Sequence, residues 1–227
     1  MKINVVKKVF KANDLVAQEN RKIFKETGIL AVNVISSPGS GKTTLLEKTI
    51  PSLMPDQKSL VIVGDLQTTR DAERLSPFAQ QVTQINTGLS CHLYANQIAQ
   101  SLGDLNLKEA DFFFIENVGN IVCPGEFDLG ENVKVVLLSV PEGDDKVAKY
   151  PTIFRVADVV LLTKVDLLGH LQFDLNRVQE DLSKLNATVP IIQISSHNNQ
   201  GMDIWLDWLT KRRKEAVGRQ AKFVKEE

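Results

Sequence analysis

The chain has 227 residues, 43% apolar and 24% charged, with 27 Lys and Arg against 28 Asp and Glu. That fits one α/β domain with an ordinary core and excludes a disordered chain, and the net charge of −1 gives no electrostatic reason to expect nucleic acid or an anionic membrane as partner. No run approaches the roughly 18 apolar residues of a membrane span, the first residues lack a secretory apolar core, and the two cysteines read as thiols, so a cytoplasmic protein is expected.

Residues from about Asn13 to Thr27 read as a helix stopped by Gly28, with Leu15, Ile23 and Phe24 on one face. The expected organisation is an N-terminal helical extension over 1–28, a main domain over 29–216 and a basic tail over 217–227. Within the main domain, apolar strands are predicted near 30–35, 59–63, 82–86, 112–116, 133–140, 158–163 and 191–195. Helical or loop segments separate them near 43–53, 71–81, 92–102, 171–186 and 201–216. This alternation predicts an α/β fold with a mostly parallel sheet and helices on both faces, and ligands beyond the carboxyl ends of the strands. The basic run Lys211–Lys214 reads as a solvated helix end, where positive charge suits the dipole.

After the first strand comes Ser36-Ser37-Pro38-Gly39-Ser40-Gly41-Lys42-Thr43-Thr44, followed by a Leu-rich helix. Strand, Gly-rich loop and helix in that order make a P-loop NTPase phosphate cradle. Gly39 and Gly41 let main-chain N–H groups turn inward beside Ser40, Lys42 reaches the terminal phosphates, and the Thr43 hydroxyl suits Mg²⁺. Ser36 stands where a first glycine is usual, so ordinary backbone angles are expected there.

Carboxylates end two strands. Asp65 and Glu116 are placed to hold Mg²⁺ together with Thr43 or to orient the attacking water, and Gly119 lets the backbone approach a γ-phosphate. Lys42, Asp65 and Glu116 are the candidate catalytic residues. No Gln or Arg stands out to complete the machinery, so slow hydrolysis is expected. Arg70 and Asp71 read as a surface or interface pair, and Lys146 or Lys149 as solvated or as reaching a phosphate in cis or from a partner subunit.

The segment Thr163-Lys164-Val165-Asp166 ends a buried strand. A carboxylate there accepts hydrogen bonds from guanine N1–H and its 2-amino group, which adenine does not offer in that arrangement. The Lys164 stem packs over a base, Thr163 braces the turn, and Ser195, after the last strand, offers backbone to the base carbonyl. GTP and GDP are therefore expected ligands.

Cys91-His92 and Cys123 form a third constellation. Thiolate with imidazole suits Zn²⁺, Ni²⁺ or Cu, and three ligands leave a four-coordinate site that a two-fold dimer can complete. Cys123 lies only seven residues after Glu116, so a nucleotide-sensing loop would carry a metal ligand with it. Cysteines are also common as small buried apolar residues. His170 and His197 read as solvated loop residues.

Pro38-Gly39-Ser40-Gly41-Lys42-Thr43, Cys91-His92, Glu116-Asn117-Val118-Gly119-Asn120 with Cys123-Pro124, Asp128-Leu129-Gly130-Glu131, Glu142-Gly143-Asp144-Asp145-Lys146 and Thr163-Lys164-Val165-Asp166 together resemble the HypB family of nickel-inserting GTPases, over about residues 25–210. The resemblance implies a P-loop fold of the dimerising GTPase branch, GTP-promoted homodimers, and nickel or zinc held between subunits by Cys91, His92 and Cys123. It also implies Lys42, Thr43, Asp65, Glu116, Lys164 and Asp166 at the nucleotide. A HypA-type nickel chaperone and the large-subunit precursor of nickel–iron hydrogenase are the implied partners. Residues 1–28 hold no Cys or His, so nickel storage is not expected of them. A urease-type accessory GTPase, a metal chaperone with a vestigial nucleotide site, and an ATP-dependent kinase are the alternatives weighed. The Glu116–Asn120 string with its separate Cys123 argues against the first, the intact Lys42, Thr43, Asp65 and Glu116 against the second, and Asp166 against the third.

Overall fold

A computed structural model describes residues 5–223, with side chains over 10–218. Seven parallel strands form one sheet in the order β3-β2-β4-β1-β5-β6-β7, with β1 Leu30–Ser36, β2 Ser59–Asp65, β3 Gln81–Asn86, β4 Phe112–Glu116, β5 Val133–Ser139, β6 Val159–Thr163 and β7 Ile191–Ile194. All seven predicted strands are present. The central strands are buried on both faces, which is why they read as continuous Val, Ile, Leu and Phe rather than as an alternation.

Alternate residues of each strand feed opposite layers. Leu30, Val32 and Val34 face α2 (Lys42–Leu53), α3 (Arg70–Leu75) and α8 (Met202–Phe223). Ala31 and Phe113 face the other way, against α1 (Val5–Thr27) and α4 (Ala95–Leu102). On that same side Val136, Leu138 and Val160 pack under α5 (Lys146–Lys149), α6 (Pro151–Arg155) and α7 (Leu175–Leu185). Trp205 of α8 is fully buried, and its indole N–H donates to the Thr49 hydroxyl of α2 over 2.9 Å.

Several expected boundaries shift. Within the described residues helix α1 already runs from Val5, well before Asn13, whose side chain accepts from Ala95 N and donates to the Asp128 carbonyl. Leu15, expected on the buried face, is exposed, and Ala17 and Phe24 take that place. Helix α3 stops at Leu75, since Pro77 has no N–H to continue it. Helix α7 starts at Leu175, where the Asp174 carboxylate accepts from Asn176 N and Arg177 N. Residues 146–149 and 151–155, where the sequence predicted no element, form α5 and α6. Helix α8 runs through the predicted tail boundary to Phe223, so Lys211–Lys214 is no helix end. Nor is that run simply solvated: Arg213 reaches Asp111 at 3.0 Å and Arg212 lies over the Trp208 ring. Among the described residues no helix is long and apolar enough to cross a membrane.

Candidate functional site

The loops after β1, β2, β4, β6 and β7 meet above one edge of the sheet and enclose two adjoining cavities. The first, about 320 Å³, lies between the β1–α2 loop and the ends of β2 and β4, and is lined by Gly39, Gly41, Lys42, Thr43, Asp65 and Glu116 among others. The second, about 430 Å³, continues past Ser40, Gly41 and Thr44 to Thr163, Lys164, Asp166 and Ser195. Together they make one elongated groove that is polar at one end and bounded by a strand-end carboxylate at the other.

The β1–α2 loop takes its shape from two glycines. Gly39 and Gly41 sit at φ of 78° and 98°, the left-handed region that side chains disfavour. Gly41 is the N-cap of α2, so the free N–H groups of the first helical turn open into the first cavity. Ser36, which replaces the usual first glycine, remains within β1 and has no positive φ. Lys42 is buried, with its ammonium 3.3 Å from Ser36 Oγ. Desolvation lowers its pKa, against the pull of Glu116, Asp71, Glu142 and Asp65.

Glu116 closes the first cavity. Its Oε1 accepts from the Thr43 hydroxyl at 2.7 Å, and its Oε2 is buried without a hydrogen-bond partner. Burial raises its pKa to about 7, although Lys42 and Thr43 pull the other way. A buried hydroxyl, a carboxylate with a free oxygen and a nearby ammonium fit the ligand set of a Mg²⁺–phosphate group. Asp65 is more open. Burial pushes its carboxyl up, but the N–H groups of Thr68 and Gln67, with the Lys42 charge, outweigh this and hold it below the ordinary carboxylate range. Gly119 lies against Pro38, where an added Cβ would come within 3.2 Å, so the loop after β4 touches the phosphate loop directly.

In the second cavity Thr163 Oγ donates to the Ser40 carbonyl at 2.8 Å, and Lys164 Nζ donates to the Gly39 carbonyl at 2.6 Å. Lys164 occupies the left-handed region, at φ of 60°, and this turns Asp166 toward the groove. Asp166 Oδ1 is buried and unpartnered, available to a donor from a ligand. Ser195 is buried, with its Oγ accepting from His197 N. His197, read from sequence as solvated, lines this cavity as well.

The thiols come together from distant segments. Cys91 Sγ is 2.7 Å from Cys123 Sγ and 3.6 Å from His92 Nδ1, and the three ligand atoms lie within 4.8 Å of one another. His92 is buried in a ring stack, 3.8 Å from the Phe127 centroid and 4.4 Å from that of Tyr94, and Phe127 stacks in turn on Phe10 of α1. Desolvation lowers the His92 pKa, keeping the imidazole in the neutral form a metal requires. The Cys123 thiol is pushed up by its contact with Cys91 and by burial, so a cation binding here displaces thiol protons. The geometry and the donor set fit a soft or borderline divalent metal.

Cys91-His92 does not open a helix as expected. The Thr87–Ser90 turn, the bond from Ser90 Oγ to the His92 carbonyl and the Asn117 side chain at Leu93 N hold 91–94 as a loop, and α4 starts at Ala95. The expected Arg70–Asp71 pair is also absent: Asp71 contacts Arg74 at 3.4 Å. Lys149 pairs with Asp145 rather than turning to the groove.

Two residues beside the first cavity were given no role of their own by sequence reasoning. Arg74 sits at its rim, held by Glu47 through two bonds of 2.9 and 2.7 Å and reaching Thr44 Oγ at 3.1 Å. Nothing local in the sequence marks it. Glu142 Oε2 accepts from Ser139 N, Ser139 Oγ and Ser40 Oγ, tying the end of β5 to the phosphate loop. Ser139-Val140-Pro141-Glu142 has the spacing of a capping box, a signal that could have found it.

Residues 30–193 match the family model described as CobW/HypB/UreG, nucleotide-binding domain. The chain is 45% identical over 215 residues to the hydrogenase/urease maturation factor HypB of Helicobacter hepaticus, covering 93% of this chain and 88% of that protein. It is 46% identical to the hydrogenase maturation factor HypB of Escherichia coli K12, covering 90% and 71%. Among solved structures, HypB from Helicobacter pylori in complex with nickel superposes with a TM-score of 0.86 at 42% identity, covering 91% of this chain and 97% of that one. HypB from Archaeoglobus fulgidus superposes with a TM-score of 0.83 at 38% identity, covering 89% and 99%.

Proposed function

The chain belongs to the CobW/HypB/UreG nucleotide-binding family and, within it, to the HypB maturation factors, and from that premise we propose that it is a GTP-hydrolysing metallochaperone that helps deliver nickel to the large-subunit precursor of nickel–iron hydrogenase. The observation that carries the reading is one chain holding both a phosphate groove and a three-ligand Cys91–His92–Cys123 cluster, with Cys123 in the loop that leaves Glu116.

In this reading the N–H groups at Gly39, Ser40, Gly41 and Thr44 and the Lys42 ammonium hold the phosphates. Thr43, Glu116 and Asp65 would hold Mg²⁺, which would neutralise charge on the transferring phosphate. The Thr43 hydroxyl donates to Glu116, and both groups would be available to the cation when it is bound. Asp65 or Glu116 orients the water. The free Oδ1 of Asp166 accepts from guanine, Lys164 covers the ring, and Ser195 backs the base. Arg74 is engaged by Glu47 rather than free to meet a phosphate, consistent with a low hydrolysis rate in the isolated subunit.

Nickel or zinc is the cargo of Cys91, His92 and Cys123. Three ligands are an incomplete set, and the apolar side chains Leu89 and Val122 stand exposed beside the two cysteines. Both features support a GTP-promoted homodimer that shares the metal across its axis, with a HypA-type chaperone as the further partner. The Helicobacter hepaticus relative is named for both hydrogenase and urease maturation, so delivery to a urease precursor from the same site is the second reading.

The test is a Ni²⁺ titration of the purified protein with GDP and with a non-hydrolysable GTP analogue, alongside Cys123→Ala. A nucleotide-dependent affinity that disappears in the variant supports the reading. Equal affinities in both nucleotide states would limit GTP to dimerisation or partner binding.

A further inference from the structure

A second connection, shorter than the Cys123 loop, joins the nucleotide groove to the metal cluster. Asn117 follows Glu116 directly and is buried, as are Asn33 and Glu131. Its Oδ1 accepts from Leu93 N at 3.2 Å and from Val118 N at 3.0 Å, while its Nδ2 donates to Asn33 Oδ1 at 3.2 Å. Asn33 Nδ2 in turn donates to Glu131 Oε1 at 3.0 Å, and the Glu131 carboxylate also accepts from Leu129 N and the Lys134 ammonium.

The chain has one polarity. A carboxylate only accepts, so Asn33 must present its amide N–H₂ to Glu131 and its oxygen to Asn117. Asn117 must then present its N–H₂ to Asn33 and its oxygen to Leu93. The rotamer ambiguity of both amides is removed by a group at the far end, and a buried chain satisfied at every member has little freedom to rearrange piecemeal.

We propose that Asn117 is the positioning residue that transmits the nucleotide-dependent position of Glu116 to the metal ligands. It rests on the reading that nucleotide state sets metal affinity. Leu93 is the residue after Cys91-His92, and its N–H is held by Asn117 alone among the side-chain contacts of the described residues. Asn117 N is held by the Val34 carbonyl at 3.0 Å, so a change at Glu116 reaches Leu93 through the Asn117 side chain, whose Oδ1 would draw Leu93 N, and with it the His92 and Cys91 donors, relative to Cys123.

Ni²⁺ titrations of wild type and Asn117→Ala, each with GDP and with a non-hydrolysable GTP analogue, test this, with affinity for the analogue as control. Wild type is expected to show a ratio of metal affinities between the two states in the range of about 5- to 150-fold usual for coupled sites, and the variant a ratio within about two-fold of one. A wild-type ratio of one overturns the underlying reading and this inference with it. A normal wild-type ratio kept by Asn117→Ala overturns the inference alone. Should the variant not fold, hydrogen exchange at the Leu93 amide of the wild-type protein decides. Protection that differs between the two nucleotide states is expected, and identical protection overturns the proposal.

Discussion

The hydroxyl of Thr163 donates to the main-chain carbonyl of Ser40 across 2.8 Å, locking the end of β6 to the phosphate loop. Lys164 repeats the tie on Gly39. The two halves of the groove are therefore held in register before any nucleotide arrives, so less ordering is required on binding. Thr163→Val keeps the shape and deletes the donor. Stability is expected to fall by about 1–2 kcal/mol, and GDP affinity by about 10-fold as the halves lose register. Thermal melting and titration with a fluorescent GDP measure the two, and unchanged affinity would show that β6 needs no brace.

Asp166 bears on base choice. Its Oδ1 is buried and unpartnered, so a ligand lacking donors at that point leaves a buried acceptor unmet. Asp166→Asn replaces one acceptor with a donor. GTP affinity is expected to fall by about 100-fold or more, while xanthosine triphosphate, which carries an oxygen where guanine has its amino group, gains affinity. Competition between the two nucleotides reads this directly. Equal loss for both would place the base elsewhere.

Glu116 gives the metal- and nucleotide-free protein a distinctive pH profile. Its pKa rises from 4.5 to about 7 on folding, chiefly through burial. Between those values the folded state binds more protons than the unfolded chain, so this contribution is present at the acid end and is lost as pH rises through about 7. The upper bound is about 3 kcal/mol. Lys42, whose pKa is lowered by burial, acts at higher pH: the unfolded chain holds the proton longer there, and stability recovers as pH rises. Denaturant melts from pH 5 to 8 are expected to show falling stability in wild type and a flatter profile in Glu116→Gln. An unchanged slope in the variant would assign the profile to other groups.

The strands and their ends were legible because apolar runs and Gly-rich turns are local signals. The same holds for the turn at Gly39 and Gly41 and for the place of Lys42 and Asp166 in the groove, which depend on neighbours in sequence. Cys91 and Cys123 could be named as a pair by residue type, but their approach depends on β2 lying between β3 and β4, an order no local pattern states. The buried amides were not legible at all. Asn13, Asn20, Asn33 and Asn117 look like ordinary polar residues, and each has a partner between 75 and 115 positions away. Helix α8 outran its predicted end since no Gly or Pro stops it before Gly218, and a lone exposed glycine costs a helix only about 1 kcal/mol.

Gly130 shows how α1 is fixed to the rest of the fold. It lies at φ of 88°, and a Cβ there would stand 2.4 Å from the Ala17 carbonyl oxygen and 2.7 Å from Asn20 Cβ. The loop thus passes directly under α1, where Asn20 donates to the Ala95 and Leu129 carbonyls and Arg21 reaches Asp128. Gly130→Ala meets both backbone strain and main-chain atoms that cannot turn aside. A stability loss of at least about 2 kcal/mol is expected, with faster hydrogen exchange concentrated in α1. Because Phe10 of α1 backs Phe127, and Phe127 backs His92, lifting α1 also loosens one member of the Cys91–His92–Cys123 cluster. Metal affinity should then fall, whereas GDP affinity, set by groove residues away from the 127–130 stretch that meets α1, should stay within about three-fold. Equal losses at both sites would mean that α1 supports the whole sheet rather than the metal cluster in particular.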